Sequence, residues 1–375
     1  MKIKSNRILT EQGFIDGWME IKDGIITRLE KGSTPNEHID IDATGKVVLP
    51  GLIDIHQHGY DGWLSPAAAI KPEDVIGFLH AMATQGVTGC MPSVEPREYP
   101  ALVKAYKNQS GARLLGINLE AYFACKEYGG FRGERGIFPM PSIEVAKQLL
   151  ETSEGLLKYV MVAPELPNAK EMMQYLHDHG VKVSAGHTLM KKDAFLEFTQ
   201  AGLIDGLTHT ANNMGFMHQR DVGVMGIGLL DPNITCELIA DFLHVSQEMV
   251  EIILRVKEHD KIVLVSDSTF LSGKQPGEFP VGDKVLIITD KYQIIDKAGN
   301  IHGSCFPLIH NVSELIRRKM LTWEDAVRMA TINPARFLGI DDQFGSLTVG
   351  KAADFIVVDD AFKLISTYVS GEKVA

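Results

Sequence analysis

The sequence has few cysteines and no long apolar run. Its 375 residues include four cysteines, Cys90, Cys125, Cys236 and Cys305, widely separated along the chain. This spacing argues against a disulfide framework and against a zinc site built from paired cysteines, so reduced core residues are expected. No stretch of about 18 apolar residues is present, so we expect no membrane-spanning helix. The start, MKIKSNRILTEQ, has no apolar signal core, and we predict a soluble, cytoplasmic protein.

Basic residues are outnumbered by acidic ones. The chain has 37 Lys and Arg against 48 Asp and Glu, which gives a formal net charge of −11, and it has no basic stripe. We therefore expect no nucleic-acid partner, although a local arginine can still bind a small anion. No Gly-rich phosphate loop follows the first strand pattern, so a nucleotide site has no support in the sequence.

Apolar, β-branched segments alternate with helical patterns through the middle of the chain. Segments such as PEDVIGFLHAMATQG and AKEMMQYLHDHG have apolar residues three and four apart and Gly near the C-terminal end, which is typical of amphipathic helices. Eight strands separated by helices predict an α/β fold, a (β/α)8 TIM-like barrel. A doubly wound open sheet would show the same alternation, but it lacks the support of a phosphate loop. The eight predicted strands are VVLPGLIDIHQH, GVTGCMPSV, LLGINLEAYF, YVMVAPEL, VKVSAGHT, GLTHTANN, TCELIADFLH and KIVLVSDST.

The two ends of the chain have a different pattern. Residues 1–48 alternate polar and apolar positions around the turn sequence KDG at 22–24, and residues 345–375 alternate in a similar way. Such segments are typical of short antiparallel strands. We predict that both termini build one small β-sandwich domain and that residues 49–344 build the barrel.

The stretch GLIDIHQHGYDG at 51–62 ends an apolar strand with two histidines one residue apart. Alternate side chains of a strand share a face, so His56 and His58 converge while Gln57 points away. Such a pair by itself is more often structural than metal-binding. Other predicted strands also end in polar residues, and the C-terminal ends of all barrel strands lie at the same face of the barrel. These further residues are Glu120, His187, His209 and Asp267.

Imidazoles and carboxylates gathered at one barrel face predict a metal site. A carboxylate buried at Glu120 or Asp267 is costly unless it is paired or bound to a cation. Ligands of this type without thiolates suit zinc first, with iron and manganese as alternatives, and an open coordination position favours hydrolysis. The candidate ligands number five, more than the three protein ligands of a typical single catalytic metal site. We therefore expect one or two divalent metal ions, with Glu120 as the bridge if there are two. The five are His56, His58, Glu120, His187 and His209. Asp267 would accept the proton of the water and deliver it to the leaving group.

The chain resembles the amidohydrolase superfamily, and within it the N-acetylglucosamine-6-phosphate deacetylase family. The resemblance covers nearly the whole length and rests on motifs in family order: PGLIDIHQHG, VAPEL, SAGHT, LTHTANNM, ADFLH, LVSD, HGS, TINPARFLG and GSLTVGKAADFIVVD. It implies a barrel with an attached β domain, a homodimer, and hydrolysis of an N-acetylated amino-sugar 6-phosphate. It also implies that Glu120, His187 and His209 hold a metal, with His56 and His58 at a second position that only some members have.

The resemblance assigns substrate-binding residues as well. The family binds the sugar phosphate with a histidine, with backbone amides of an Asn-Ala pair, and with an arginine that reaches across the dimer interface. The corresponding residues are His244, the pair Asn212 and Asn213, and Arg220. A small anionic substrate, a phosphorylated N-acyl amino sugar, is therefore expected. Without the resemblance, Arg220 would be interpreted as a solvated loop charge and His244 as a helix-start residue.

Several positions depart from the family pattern. Ala121-Tyr122 stands where the family has Gly-Pro beside the metal, and Phe131 lies in the segment that carries a carbonyl-polarising histidine in the family. Phe242 replaces a glycine, and His302 belongs to an altered HGS segment. We include Tyr122, Phe131 and His302 among the predicted substrate-binding residues, with the Tyr122 hydroxyl as a substitute carbonyl donor. Because one methylene already changes discrimination by about 1–3 kcal/mol, we expect N-acetylglucosamine 6-phosphate to be a poorer substrate than a related epimer or acyl derivative.

Two alternatives stay open at this point. The first is that the same metal chemistry hydrolyses a different amide or a lactam, or deaminates its substrate. The loss of the carbonyl-polarising histidine favours this alternative. The second is a non-catalytic, ligand-binding relative, which the cost of a buried charge cluster disfavours.

Overall fold

The computed structural model describes residues 1–32, 38–128, 139–282 and 284–375. Phe131 lies outside these residues. Within the described residues, no helix is both long and apolar enough to cross a membrane. The four cysteines all belong to the described part, where they are buried and free, in agreement with the sequence.

The N-terminal segment forms strands that belong to a mixed sheet. Strand β1 pairs antiparallel with β2, and parallel with β4 and β5. The predicted turn joins β2 to β3, with φ of +51° at Asp23 and +76° at Gly24, which Asp and Gly tolerate better than most residues. These strands are β1 (Lys2–Thr10), β2 (Gly13–Lys22), β3 (Ile25–Lys31), β4 (Ile41–Asp42) and β5 (Val47–Pro50).

The middle of the chain forms the barrel. Its parallel strands are β6 (Leu52–Gln57), β7 (Val87–Pro92), β8 (Arg113–Leu114), β9 (Ile117–Phe123), β10 (Leu157–Val162), β11 (Lys182–Ala185), β12 (Gly206–Leu207), β13 (Thr235–Leu238) and β14 (Ile262–Leu264). Neighbours pair in the orders β6-β7-β8 and β9 through β14. A bridge between Ser93 and Asn118 joins the two groups. The Asp267 N–H donates to the His56 carbonyl at 3.0 Å and closes the ring. The predicted barrel is confirmed, with β8 a short strand ahead of β9.

Helices cover the outside of the barrel. Every residue of β6 and β7 is buried, as expected for parallel strands with both faces covered. Ser142 and Ser246 begin two of the helices by accepting a hydrogen bond from a main-chain N–H of the first turn, a common N-cap arrangement. The helices are α1 (Pro72–Ala83), α2 (Tyr99–Tyr106), α3 (Ile143–Thr152), α4 (Ala169–Asp178), α5 (Lys192–Gln200), α6 (Gly223–Leu230), α7 (Gln247–Val256), α8 (Leu308–Arg317), α9 (Trp323–Met329) and α10 (Ile332–Leu338).

A small antiparallel sheet, which the sequence reasoning did not predict, lies between β14 and α8. Its strands pair in chain order over an apolar cluster that includes Leu286 and Ile294. The Ser304 N–H donates to the Asp267 carbonyl at 2.7 Å, so the last strand of this sheet is attached where β14 leaves the barrel. The strands are β15 (Gly277–Val281), β16 (Lys284–Ile288), β17 (Gln293–Ile295) and β18 (Ile301–Ser304).

The C-terminal strands complete the sheet that the N-terminus begins. They are β19 (Phe355–Val358), β20 (Leu364–Val369) and β21 (Glu372–Lys373). In the described residues this sheet has eight strands in the order β21-β20-β19-β5-β1-β2-β3, with β4 on β1. The predicted union of both termini in one β domain is therefore confirmed. Strand β5 ends at Pro50 and so extends past residue 48, where the sequence placed the end of the N-terminal part of this domain. Arg113 of the barrel binds Asp354 beside β19, with Nε 2.9 Å from Oδ2.

Candidate active site

Three of the predicted ligands meet at the C-terminal end of the barrel. Glu120 lies on β9, and His187 and His209 follow β11 and β12 by two residues. Oε1 of Glu120 is 2.6 Å from Nε2 of His187 and 3.3 Å from Nε2 of His209. The two imidazole Nε2 atoms are 3.0 Å apart. These three groups could hold one metal ion between them.

His56 and His58 form a second group with the same glutamate. Nε2 of His58 lies 3.7 Å from Oε2 of Glu120 and 3.4 Å from Oδ1 of Asp267. Nε2 of His56 lies 3.7 Å from that same Asp267 oxygen. Glu120 therefore belongs to both groups, as expected for a carboxylate that bridges two sites.

The buried carboxyl groups are ionised. Burial raises the pKa of Asp267, but contact with His58 and the charges of His56 and His209 outweigh it and lower the pKa to about 2. Burial also opposes ionisation of Glu120, yet its contacts with His187 and His209 hold its pKa well below the usual range. Two ionised carboxylates facing several imidazoles attract positive charge to this end of the barrel.

The backbone is strained at these strand ends. His187, His209 and Asp267 have φ values of +46°, +33° and +49°, a region that residues with a Cβ rarely adopt. Each residue stands where the chain leaves a barrel strand and turns into a loop. Such strain persists where the surrounding structure over-determines it, and it is concentrated at functional sites.

Glu237 is a site residue that the sequence reasoning missed. It lies on β13, and its side chain is 2 % exposed. Oε2 accepts hydrogen bonds from Nδ1 of His56 at 2.8 Å and from the main-chain N–H of His209 at 2.9 Å. A signal was present in the sequence, because a carboxylate inside the apolar stretch TCELIADFLH carries the same burial cost as Glu120.

His187 is also held by residues outside the group that it forms with Glu120 and His209. Its Nδ1 donates to the carbonyl of Tyr128. The next two residues are fixed by Glu165, which accepts from the Thr188 hydroxyl and, at 2.7 Å, from the Leu189 N–H. The VAPEL motif therefore supplies the carboxylate that shapes the loop after His187.

The side chains fit a divalent cation. His56 and His187 each use Nδ1 for a bond to an oxygen, which leaves Nε2 directed at the clusters. Nε2 of His56 is buried, and none of the described residues offers it a hydrogen-bond partner. A buried polar atom without a partner is costly, whereas a metal ion would satisfy it. The donor set of nitrogen and carboxylate oxygen suits zinc, iron or manganese.

The predicted anion-binding residues lie on neighbouring loops. Asn212 donates from Nδ2 to the carbonyl of His209 at 3.2 Å, and the carbonyl of Asn213 accepts from the Thr188 N–H at 3.0 Å. The loops after β11 and β12 are thereby joined. Arg220 lies farther along the second loop and is exposed.

His244 is held in one orientation. Its Nδ1 lies 2.8 Å from Oδ2 of Asp241, which also accepts from the Ser304 hydroxyl at 2.7 Å. Burial lowers the pKa of His244, but Asp241 outweighs that effect and raises it. Nε2 of His244 is buried and finds no partner within the described ranges. It is therefore a free polar atom available to a ligand.

The residues that depart from the family pattern have varied surroundings. The half-buried Tyr122 ring packs edge-on against the Phe123 ring, with centroids 5.1 Å apart. The Phe242 ring lies 4.0 Å from Cζ of Arg318. His302 places Nε2 3.1 Å from Oδ2 of Asp296, within the segment that forms the small sheet. Phe131, as noted, is outside the described residues.

Comparison with known proteins identifies the relatives of this chain. The model of the amidohydrolase family matches residues 47–374. An N-acetylglucosamine-6-phosphate deacetylase of Vibrio furnissii is 30% identical, over 94% of this chain and 91% of the relative. An N-acetylgalactosamine-6-phosphate deacetylase of Escherichia coli O157:H7 is 28% identical, over 99% and 98%. The crystal structure of N-acetylglucosamine-6-phosphate deacetylase from Thermotoga maritima superposes with a TM-score of 0.85 at 26% identity, over 100% of this chain and 99% of that one.

Proposed function

Because the chain belongs to the N-acetylglucosamine-6-phosphate deacetylase family of the amidohydrolases, we propose that it is a metal-dependent hydrolase of an N-acetylated amino-sugar 6-phosphate. The observation that carries this proposal is the convergence of Glu120, His187 and His209 beside the ionised Asp267. A non-catalytic relative would have no use for so costly a group of buried charges.

Glu120, His187 and His209 would hold one divalent cation, and His56 and His58 would hold a second together with Glu120. We expect zinc, with iron and manganese as alternatives. A cation bound there lowers the pKa of a water molecule and polarises the amide carbonyl.

Asp267 acts as the proton carrier. Its carboxylate is ionised, and its Oδ1 lies within 3.7 Å of both His56 and His58. It accepts a proton from the attacking water as the new carbon–oxygen bond forms. It then delivers that proton to the sugar nitrogen as the carbon–nitrogen bond breaks, so that acetate and the free amine leave.

Arg220 and His244 recognise the anionic group of the substrate. An arginine fork and an imidazole are suited to phosphate oxygens, and Nε2 of His244 is available for this contact. By the resemblance we also assign to the sugar-phosphate pocket the main-chain amides of Asn212 and Asn213 and the side chains of Tyr122, Phe131 and His302.

We further propose a homodimer in which Arg220 reaches the neighbouring site. Phe216, four residues before Arg220, is 93 % exposed, whereas Met217 and Leu189 are 46 % and 43 % exposed. Leu189 approaches Gly215, so the loop after β11 meets the loop after β12, which carries Phe216 and Met217. Exposed apolar patches are typical of protein interfaces.

Cytoplasmic localisation agrees with the four free cysteines, because that compartment keeps thiols reduced.

The sugar and acyl group are tested with a substrate panel. The panel contains N-acetylglucosamine 6-phosphate, N-acetylgalactosamine 6-phosphate, their N-formyl derivatives and the unphosphorylated sugars. We expect hydrolysis to require the phosphate, and a member other than N-acetylglucosamine 6-phosphate to have the higher kcat/KM. Equal turnover with and without phosphate would contradict the anion role of Arg220 and His244. Failure of every N-acyl sugar would favour the alternative of another amide, a lactam or a deamination.

A further inference from the structure

Glu237 connects the two metal-binding groups without belonging to either. A single oxygen, Oε2, accepts from the His56 side chain at 2.8 Å and from the His209 main chain at 2.9 Å. His56 comes from β6 and His209 from the loop after β12, whereas Glu237 lies on β13. One carboxylate oxygen therefore fixes a residue of each group relative to the other.

The geometry decides which nitrogen of His56 carries the proton. A main-chain N–H can only donate, so Oε2 of Glu237 is an acceptor toward His209. The same oxygen faces Nδ1 of His56, which must then be the donor. Nε2 faces Asp267 and His58, where the described residues provide it with no hydrogen-bond partner. A cation bound there would take the place of any proton on this nitrogen.

We propose that Glu237 is a positioning residue that keeps the proton on Nδ1 of His56 and thereby makes Nε2 a metal ligand. The inference rests on the proposed function only in assuming that a cation binds at this site. Hydrogen bonds from ligating histidines to carboxylates fix the ring orientation and increase ligand basicity. Through the His209 N–H, Glu237 also supports the main chain at a strained residue, whose φ is +33°.

A purely structural role explains Glu237 less well. Its side chain is 2 % exposed, and the described residues give its second oxygen, Oε1, no hydrogen-bond partner. A neutral glutamine could accept from the His209 N–H at a smaller desolvation cost. Retaining a negative charge in this place is useful if it faces a histidine that binds a cation.

The first experiment measures zinc binding by competition with a chromophoric chelator. We expect E237L to lower the zinc affinity of the His56 site about 10–100-fold, and E237Q to recover part of it because its amide oxygen can still accept from Nδ1. Glu98→Gln is the matched control, since Glu98 is a buried carboxylate that also accepts a main-chain N–H, from Ile70 at 2.9 Å. Wild-type affinity in E237L, or an equal loss in the Glu98 variant, would overturn the proposal.

The second experiment records its signals from the unaltered protein, and a variant serves only to assign them. Ring-15N-labelled histidine in the zinc-loaded enzyme reports which nitrogen is protonated, and the His56 signals are identified by their loss in His56→Asn. We expect the proton on Nδ1 and the metal shift on Nε2. A proton on Nε2, or a protein that binds no zinc, would overturn the inference. Both readouts are independent of substrate, so a wrong substrate assignment would leave them unchanged.

Discussion

Glu120 and Asp267 are two buried carboxylates at one barrel face, and their neighbours give them different roles. Glu120 contacts His187 and His209 through one oxygen and approaches His58 with the other. Among the described residues, the histidine nitrogens within 4 Å of the Asp267 carboxylate belong to the second group, at 3.4 Å and 3.7 Å. We therefore propose Glu120 as the shared ligand and Asp267 as the group that exchanges a proton. The two substitutions predicted below separate these roles.

Removal of Glu120 should release the metal. In Glu120→Ala the carboxylate shared by both groups is lost, and two imidazoles alone make a weak site. We expect elemental analysis of the purified variant to show a large loss of metal relative to the wild type. The Asp267→Asn protein, prepared in parallel, should retain its metal. Full occupancy in Glu120→Ala would contradict the ligand assignment.

Removal of the Asp267 charge should abolish turnover instead. Asparagine keeps the size of the side chain but cannot carry a proton between water and the leaving nitrogen. We expect kcat to fall about 10²–10⁴-fold, with metal content nearly unchanged, as measured by steady-state kinetics and elemental analysis. If most of kcat survived, another group would have to move the proton, and His302 would be the first candidate.

Residues at strand ends were predictable, whereas their supporting partners were not. The alternation of side chains places His56 and His58 on one face, and barrel topology gathers Glu120 and His187 nearby. Glu237 was missed because its role depends on contacts with two distant segments, which no local pattern reports. Its only sequence signal is a charge in an apolar strand.

At the scale of the elements, the parallel strands could be predicted and the small sheet β15–β18 could not. Buried parallel strands are continuous apolar runs with helices between them, and the barrel topology then follows. The segment 277–304 instead consists of short strands in which polar and apolar residues mix. A local apolar cluster and the hydrogen bond from the Ser304 N–H to the Asp267 carbonyl stabilise this sheet. Tertiary contacts of this kind leave little trace in the sequence.

A carboxylate also links the elements that lead to the His187 and His209 loops. Asp205 accepts from Nε2 of His177 on α4 at 2.7 Å, from the Val183 N–H on β11 at 2.8 Å, and from Nζ of Lys182 at 3.0 Å. Burial opposes its ionisation, yet these donors lower its pKa. The carboxylate therefore stabilises the folded protein in its charged form.

Asp205→Asn should lower the free energy of unfolding by about 1–3 kcal/mol at pH 7. Because the folded-state pKa is depressed, the contribution is complete above the unfolded value of about 3.9 and is lost as pH falls through the folded value. Urea unfolding should show a constant difference from the wild type between pH 7 and 5, and a smaller one below about pH 4. Asp193→Asn, an acid on α5 whose side chain is 87% exposed, is the control. Equal stability of the two variants would contradict the role of Asp205.

At the scale of the whole molecule, the proposed role of Arg220 would connect the active site to assembly. Glu120 and Asp267 lie inside one barrel, whereas Arg220 lies on the exposed loop that also carries Phe216 and Met217. A closed dimer would bury such a patch and carry Arg220 toward the partner. The sequence implied this arrangement by resemblance alone, since one chain does not show which surface meets another.

Mixing two inactive variants tests this arrangement. Consider a mixed dimer in which one chain carries Arg220→Ala and the other carries Asp267→Asn. The site in the first chain then has its own intact Asp267 and receives an intact Arg220 from the second chain, whereas the other site lacks both residues. Random pairing makes half of the dimers mixed, so co-expressed subunits should regain about a quarter of the wild-type activity. Asp267→Asn with Glu120→Ala is the control, because both residues serve their own chain's site and cannot complement each other. If the first mixture had only the mean activity of its two parents while still eluting as a dimer, Arg220 would act within its own subunit.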